Sequence, residues 1–118
     1  MDAAQLTRNE EKSRLLNRLS EIMVTELREQ GTFNRVPHYS TLEQAAHDLS
    51  RELSRSSQRR AAAEVATLQG LTATCPDCQT SCVVATGQRT VASLDGPVEM
   101  IEPKAYCPAC RRAFFPSA

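Results

Sequence analysis

The sequence of 118 residues contains no tryptophan, two tyrosines and three phenylalanines. No apolar run approaches the ~18–20 residues that a membrane-spanning helix requires. The first residues, MDAAQLTRNEEKSRLL, lack the basic and then apolar layout of a secretory signal. We therefore expect a cytoplasmic protein that does not contact a membrane. Structural disulfides are rare in the reducing cytosol, so the five cysteines indicate metal binding or catalysis.

The chain also lacks an excess of either charge sign. Its 14 basic and 14 acidic residues give a formal net charge of zero, so the protein as a whole has no electrostatic attraction to nucleic acid. Charge is nevertheless uneven along the chain, because the segment RELSRSSQRR at 51–60 carries four arginines against one glutamate.

Amphipathic patterns in residues 1–70 predict two long helices, at about 8–30 and 41–69. Thr7 and Ser40 are the predicted N-caps, since each has a glutamate three residues later, the capping-box spacing. We expect the helices to pack as a hairpin, or to form a homodimer or a complex with a partner protein. Their apolar residues recur at steps of three and four and form one stripe on each helix: Leu15, Leu16, Leu19, Ile22, Met23 and Leu27 on the first, and Leu42, Ala45, Ala46, Leu49 and Leu53 on the second.

The pattern changes to that of a small β-domain in residues 71–118. The short runs SCVVATG, RTVASL and PVEMI are rich in β-branched residues and are separated by turn signals. The dipeptide Asp95-Gly96 between two of these runs is typical of a tight hairpin. Pro97 suits the start or the edge of a strand, because it cannot donate to a central ladder.

Four cysteines form two close pairs, Cys75-x-x-Cys78 and Cys107-x-x-Cys110, separated by twenty-eight residues. Each such turn directs two sulfurs towards one point, and two turns joined by hairpins supply the four thiolates of a closed structural Zn²⁺ site. The predicted fold class is therefore α+β, an N-terminal α-helical hairpin followed by a small C-terminal β-hairpin zinc ribbon. A closed site has no open coordination position for a substrate, so we do not expect an enzyme.

The cysteines allow other roles. Iron can occupy four thiolates, and a single Cys75/Cys78 pair could act as a redox dithiol, although that motif requires a βαβ context that the sequence lacks. Two disulfides fit poorly with a cytosolic chain. The fifth cysteine, Cys82, is interpreted as a small buried apolar residue rather than a ligand.

Eight basic side chains are candidate contacts to nucleic-acid phosphates. Three of them follow one another at four-residue steps in the second helix, and others flank the cysteine turns. The alternative is a solvated surface, because several acidic residues stand at ion-pair spacing from these arginines. The candidates are Arg51, Arg55, Arg59, Arg60, Arg89, Lys104, Arg111 and Arg112.

The stretch GQRTVASLDGPVEMIEPKAYCPACRRAFFP resembles the N-terminal region of ISKra-type insertion-sequence transposases, in which a helix precedes a CPxC turn and a strand ending in G-P-V. The resemblance covers residues from about 42 to 118. It departs from the family at Gln79 and Arg111, where such turns usually carry glycine. The residues that match are Arg89, Val91, Gly96, Pro97, Val98, Tyr106, Cys107, Pro108, Cys110, Phe115 and Pro116.

The resemblance implies that the ribbon and the helix hold transposon-end DNA or help the enzyme to multimerise. The family's RNase H-like catalytic domain would follow the ribbon, so the resemblance implies a fragment or a free-standing relative without a catalytic site. We therefore expect a zinc-ribbon module that binds nucleic acid. The alternative is a protein-interaction adaptor or dimerisation module in which the zinc is purely structural.

Overall fold

The computed structural model describes residues 2–116 and confirms a mixed α+β fold. Ser117 and Ala118, the end of the predicted second domain, lie outside the described residues. Two helices are followed by four antiparallel strands. The elements are α1 (Ala3–Glu29), a short 3-10 helix (Thr32–Asn34), α2 (Tyr39–Thr67), β1 (Thr72–Thr74), β2 (Ser81–Ser93), β3 (Gly96–Cys107) and β4 (Arg112–Phe114).

Both helices begin earlier than predicted, because other residues cap them. The carboxylate of Asp2 accepts the backbone N–H of Gln5 at 2.7 Å, which satisfies an amide at the start of α1. Thr7, the predicted N-cap, lies inside the helix. In α2 the His38 ring accepts the backbone N–H of Ser40 at 3.2 Å, so Ser40 was also wrongly predicted as the cap.

Neither helix contains a buried residue. Leu19 and Leu49 are half-buried, but Leu15 remains 52% exposed. α1 contacts the 3-10 helix that follows it. Within residues 2–116 the structure therefore shows two long N-terminal helices whose apolar stripes do not reach full burial. None of these helices is long and apolar enough to cross a membrane.

The sheet has the order β1-β2-β3-β4 and is built on the long β2–β3 hairpin. Paired residues run from Ser93↔Gly96 to Val84↔Ala105. The two predicted runs SCVVATG and RTVASL form one continuous strand, because Gly87 is strand rather than turn. Its missing side chain leaves room for Lys104, whose Cβ would lie 2.8 Å from a Cβ at position 87.

Antiparallel pairing brings the two cysteine turns to the same end of the sheet. The first turn lies between β1 and β2, and the second lies between β3 and β4. Since β2 starts where β3 ends, both turns lie at the end of the hairpin opposite its tip. The buried core is also at this end, where Cys75, Cys82, Ala105 and Cys107 are each at most 2% exposed.

By its contacts, the chain divides after Ser50 into two compact units. In the second unit the C-terminal half of α2 holds the tip of the β2–β3 hairpin. The Ser54 hydroxyl donates to the Asp95 carboxylate at 2.5 Å, and the Arg55 guanidinium donates to the Asp95 carbonyl at 2.8 Å. This part of α2 thus belongs structurally with the sheet.

Candidate metal centre

The four paired cysteines come together at one point, as their spacing predicts. The sulfur atoms of Cys75, Cys78, Cys107 and Cys110 all lie within 4.8 Å of one another. Each pair comes from one turn, so the site needs both turns and the strand pairing between them. These four residues can hold a metal ion.

The distances between sulfurs match the size of a tetrahedral thiolate site. The Cys78 and Cys107 sulfurs are 3.4 Å apart, and those of Cys75 and Cys110 are 3.9 Å apart. A tetrahedron with metal–sulfur bonds of about 2.3 Å has edges of about 3.8 Å. The observed distances bracket that value, so the sulfurs need little movement to bind a tetrahedral ion.

Backbone hydrogen bonds shape both turns around the sulfurs. In the first turn, Cys75 donates its N–H to the Thr80 carbonyl at 2.9 Å, and Gln79 donates to the Cys75 carbonyl at 3.0 Å. In the second, the Cys110 N–H donates to the Cys107 sulfur at 3.4 Å. A hydrogen bond to sulfur favours the thiolate, which is the form that binds metal.

The residue after each pair adopts a left-handed backbone. Gln79 has a φ of 65° and Arg111 a φ of 55°. Glycine adopts this conformation without strain, whereas other residues bear a steric cost. The departures from glycine noted in the sequence therefore fall at the two positions where glycine would relieve strain.

The thiols have unequal proton affinities. The pKa of Cys78 is lowered from 9.0 to about 6, chiefly because the Thr80 side chain hydrogen-bonds its sulfur. The pKa of Cys110 is raised to about 12, chiefly by its side-chain hydrogen bond with Cys78 and by burial. A hydrogen bond from the Cys110 backbone lowers the pKa of Cys107. Metal binding therefore requires release of the Cys110 proton and is favoured by rising pH.

Cys82 is next to the cluster but does not belong to it. It is 2% exposed, and its thiol donates to the Thr80 carbonyl at 3.4 Å. Burial raises its pKa, which keeps the thiol neutral. The structure thus confirms the prediction that Cys82 is a buried apolar residue of the core.

Several of the eight candidate cations are engaged within the chain. Arg89 forms an ion pair with Glu102 at 2.9 Å and lies over the Phe115 ring, 4.6 Å from its centroid. Arg112 pairs with Asp77 and so links the two cysteine turns. Arg55 is held by the carbonyl at the hairpin tip, and Arg51 has an interaction partner as well.

The remaining four cations are exposed and have no side-chain hydrogen bond or ion pair within residues 2–116. They are Arg59, Arg60, Lys104 and Arg111. The sequence did not separate this set from the engaged one. For Arg112 alone the sequence contains a clue to its partner. Asp77 lies within the first CPxC turn and Arg112 lies just after the second, and the two residues carry opposite charges.

Comparisons with models of protein families, with curated proteins and with solved structures found no match. The likeness to ISKra-type transposases therefore depends on the residues quoted from the sequence.

Replacing Cys107 by serine should abolish stoichiometric metal binding, because it removes one of four converging sulfurs. Replacing Cys82 by alanine should leave one metal ion bound per chain, since Cys82 is outside the cluster. Elemental analysis of the purified variants measures both and also identifies the metal. Retention of metal by Cys107→Ser, or its loss in Cys82→Ala, would contradict the assigned ligand set.

In metal-free protein that circular dichroism shows to retain its sheet, Cys78 should be the first cysteine to be alkylated near neutral pH. It is exposed, and a thiol with a pKa of about 6 is largely thiolate at pH 7, whereas one near 9 is about 1% thiolate. A short iodoacetamide pulse followed by peptide mapping should give a reactivity midpoint of about 6. A midpoint near 9, or faster labelling of Cys110, would argue against the Thr80 hydrogen bond. Bound metal should protect the thiol.

Proposed function

We propose that this protein is a non-catalytic interaction module. In this proposal a structural zinc ion holds the β-domain together as a zinc ribbon, and the long helices associate with another protein chain. The observation that carries the proposal is that α1 and α2 bury no residue among those described, although each carries an apolar stripe.

The donor set supports zinc in a structural role. Four thiolates in a tetrahedron complete the coordination of Zn²⁺ and leave no position for a reacting water; iron is the other ion that such a set accepts. The β-domain has few buried residues, so its folding needs a further source of free energy. Bound zinc supplies on the order of 10–16 kcal/mol in small modules of this kind.

The exposed helix faces support association with protein. Leu15 and Leu16 are 52% and 48% exposed, and Ile22 is 39% exposed. An amphipathic helix derives most of its stability from packing of its apolar face, and exposed contiguous apolar surface marks interaction sites. A second helix against this stripe would bury these side chains, whether it comes from the same chain, as in the predicted hairpin, or from another.

Position-specific photo-crosslinking in the native cells tests this function. A photoreactive phenylalanine at Leu16 should crosslink to protein, because Leu16 lies on the apolar stripe. The same residue at Asn17, which is also exposed but lies on the other side of the helix, is the matched control and should not. The proposal fails if neither position crosslinks, or if both do so equally.

Nucleic-acid binding is the second candidate, favoured by the exposed and unpartnered Arg59, Arg60, Lys104 and Arg111. The strained backbone of Arg111 adds support, since strain tends to persist at functional positions. The transposase resemblance belongs with this candidate.

An anisotropy titration with duplex DNA at several salt concentrations tests this second candidate. Binding should weaken steeply with salt, because phosphate contacts release counterions. Arg59→Glu and Arg111→Glu should each weaken it, whereas Arg14→Glu, outside the candidate set, should have a smaller effect. Undetectable binding at low salt would eliminate the candidate.

A further inference from the structure

The apolar stripe of α1 has a charge of opposite sign at each end. Lys12 lies seven residues before Leu19, and Glu26 lies seven residues after it. Seven residues are close to two turns of an α-helix, so the three side chains lie on one face. Along this face the helix is basic at one end, apolar in the middle and acidic at the other end.

These two charges have no partner among the residues that the structure describes. No acidic residue stands three or four positions from Lys12, and no basic residue stands at that spacing from Glu26. Both side chains are exposed, and within residues 2–116 neither makes an ion pair or a side-chain hydrogen bond. By contrast, Arg18 and Glu21, on the opposite side of α1, pair with each other at 3.2 Å.

A stripe with this arrangement is complementary to itself when it is turned end for end. In an antiparallel pair of α1 helices with its two-fold axis near Leu19, Lys12 of each copy faces Glu26 of the other. Leu15 then faces Met23, and Leu16 faces Ile22. A parallel pair would instead place Lys12 beside Lys12 and Glu26 beside Glu26, where like charges repel.

We propose that α1 is a homodimerisation helix that pairs antiparallel with α1 of a second copy of this chain. A two-fold axis makes the contact isologous, so the two Lys12–Glu26 ion pairs form together and close the assembly at a dimer. The inference rests on the proposed function, because it names the partner of one exposed helix. It also sets the orientation and register of the contact.

Charge exchange on the full-length, metal-loaded protein tests the inference. Sedimentation equilibrium should show a dimer for the wild-type chain. Lys12→Glu and Glu26→Lys should each raise the dimer Kd about tenfold, since each replaces two attractive contacts with two repulsive ones. The double exchange Lys12→Glu/Glu26→Lys should restore the Kd to within about threefold of wild type, because the ion pairs re-form with reversed polarity.

Matched controls separate this result from a general effect of charge. Arg14→Glu and Glu10→Lys change the net charge by the same amounts on the opposite side of α1 and should leave the dimer unchanged. Circular dichroism verifies that each variant keeps its helix content. A monomeric wild type, an equal effect of the controls or the absence of rescue would overturn the inference. If the chain is monomeric while Leu16 crosslinks to a different protein, the inference fails and the proposed function stands.

Discussion

The convergence of four sulfurs at one end of the β2–β3 hairpin is the constraint on which the β-domain depends. Among the described residues, the buried apolar core comprises Cys75, Cys82, Val98, Ala105 and Cys107, and Pro103 is buried as well. Cys75 and Cys107 are candidate ligands and Cys82 and Ala105 pack in the same cluster, so most of the core lies at the candidate metal site, whereas Val98 lies nearer the hairpin tip. Hydrophobic burial scales with area, and a core of this size contributes little of it. The geometry that could hold a metal ion is thus also the geometry that joins the two ends of the sheet.

Several basic side chains make contacts within the fold rather than remaining free at the surface. Arg55 ties α2 to the hairpin tip, Arg112 links the two cysteine turns, and Arg89 pairs with Glu102 and lies over the Phe115 ring. A guanidinium can make several directed hydrogen bonds and also stack on a ring, which a lysine does less well. The number of arginines in such a domain therefore overestimates the positive charge that is available to bind a nucleic acid.

The sequence predicts local features well because their causes are local. Helix periodicity, the two cysteine turns and the strain at Gln79 and Arg111 each depend on residues within a few positions of one another. Helix starts were less certain, because both Asp2 and Thr7 can cap a helix and the chain uses the first. The sequence suggested a turn at Gly87. Glycine is needed there because Lys104 on the neighbouring strand approaches closely, and no local pattern reveals that contact.

The local sequence specifies a candidate ligand set, because each CPxC turn brings its own two sulfurs together. It also determined two helices with an apolar stripe each. Long-range packing settles which cations lack a partner within residues 2–116 and which residues form the core. Ser54 meets Asp95 across 41 positions and Arg112 meets Asp77 across 35. Such contacts depend on strand register and on the docking of α2, which no local pattern encodes.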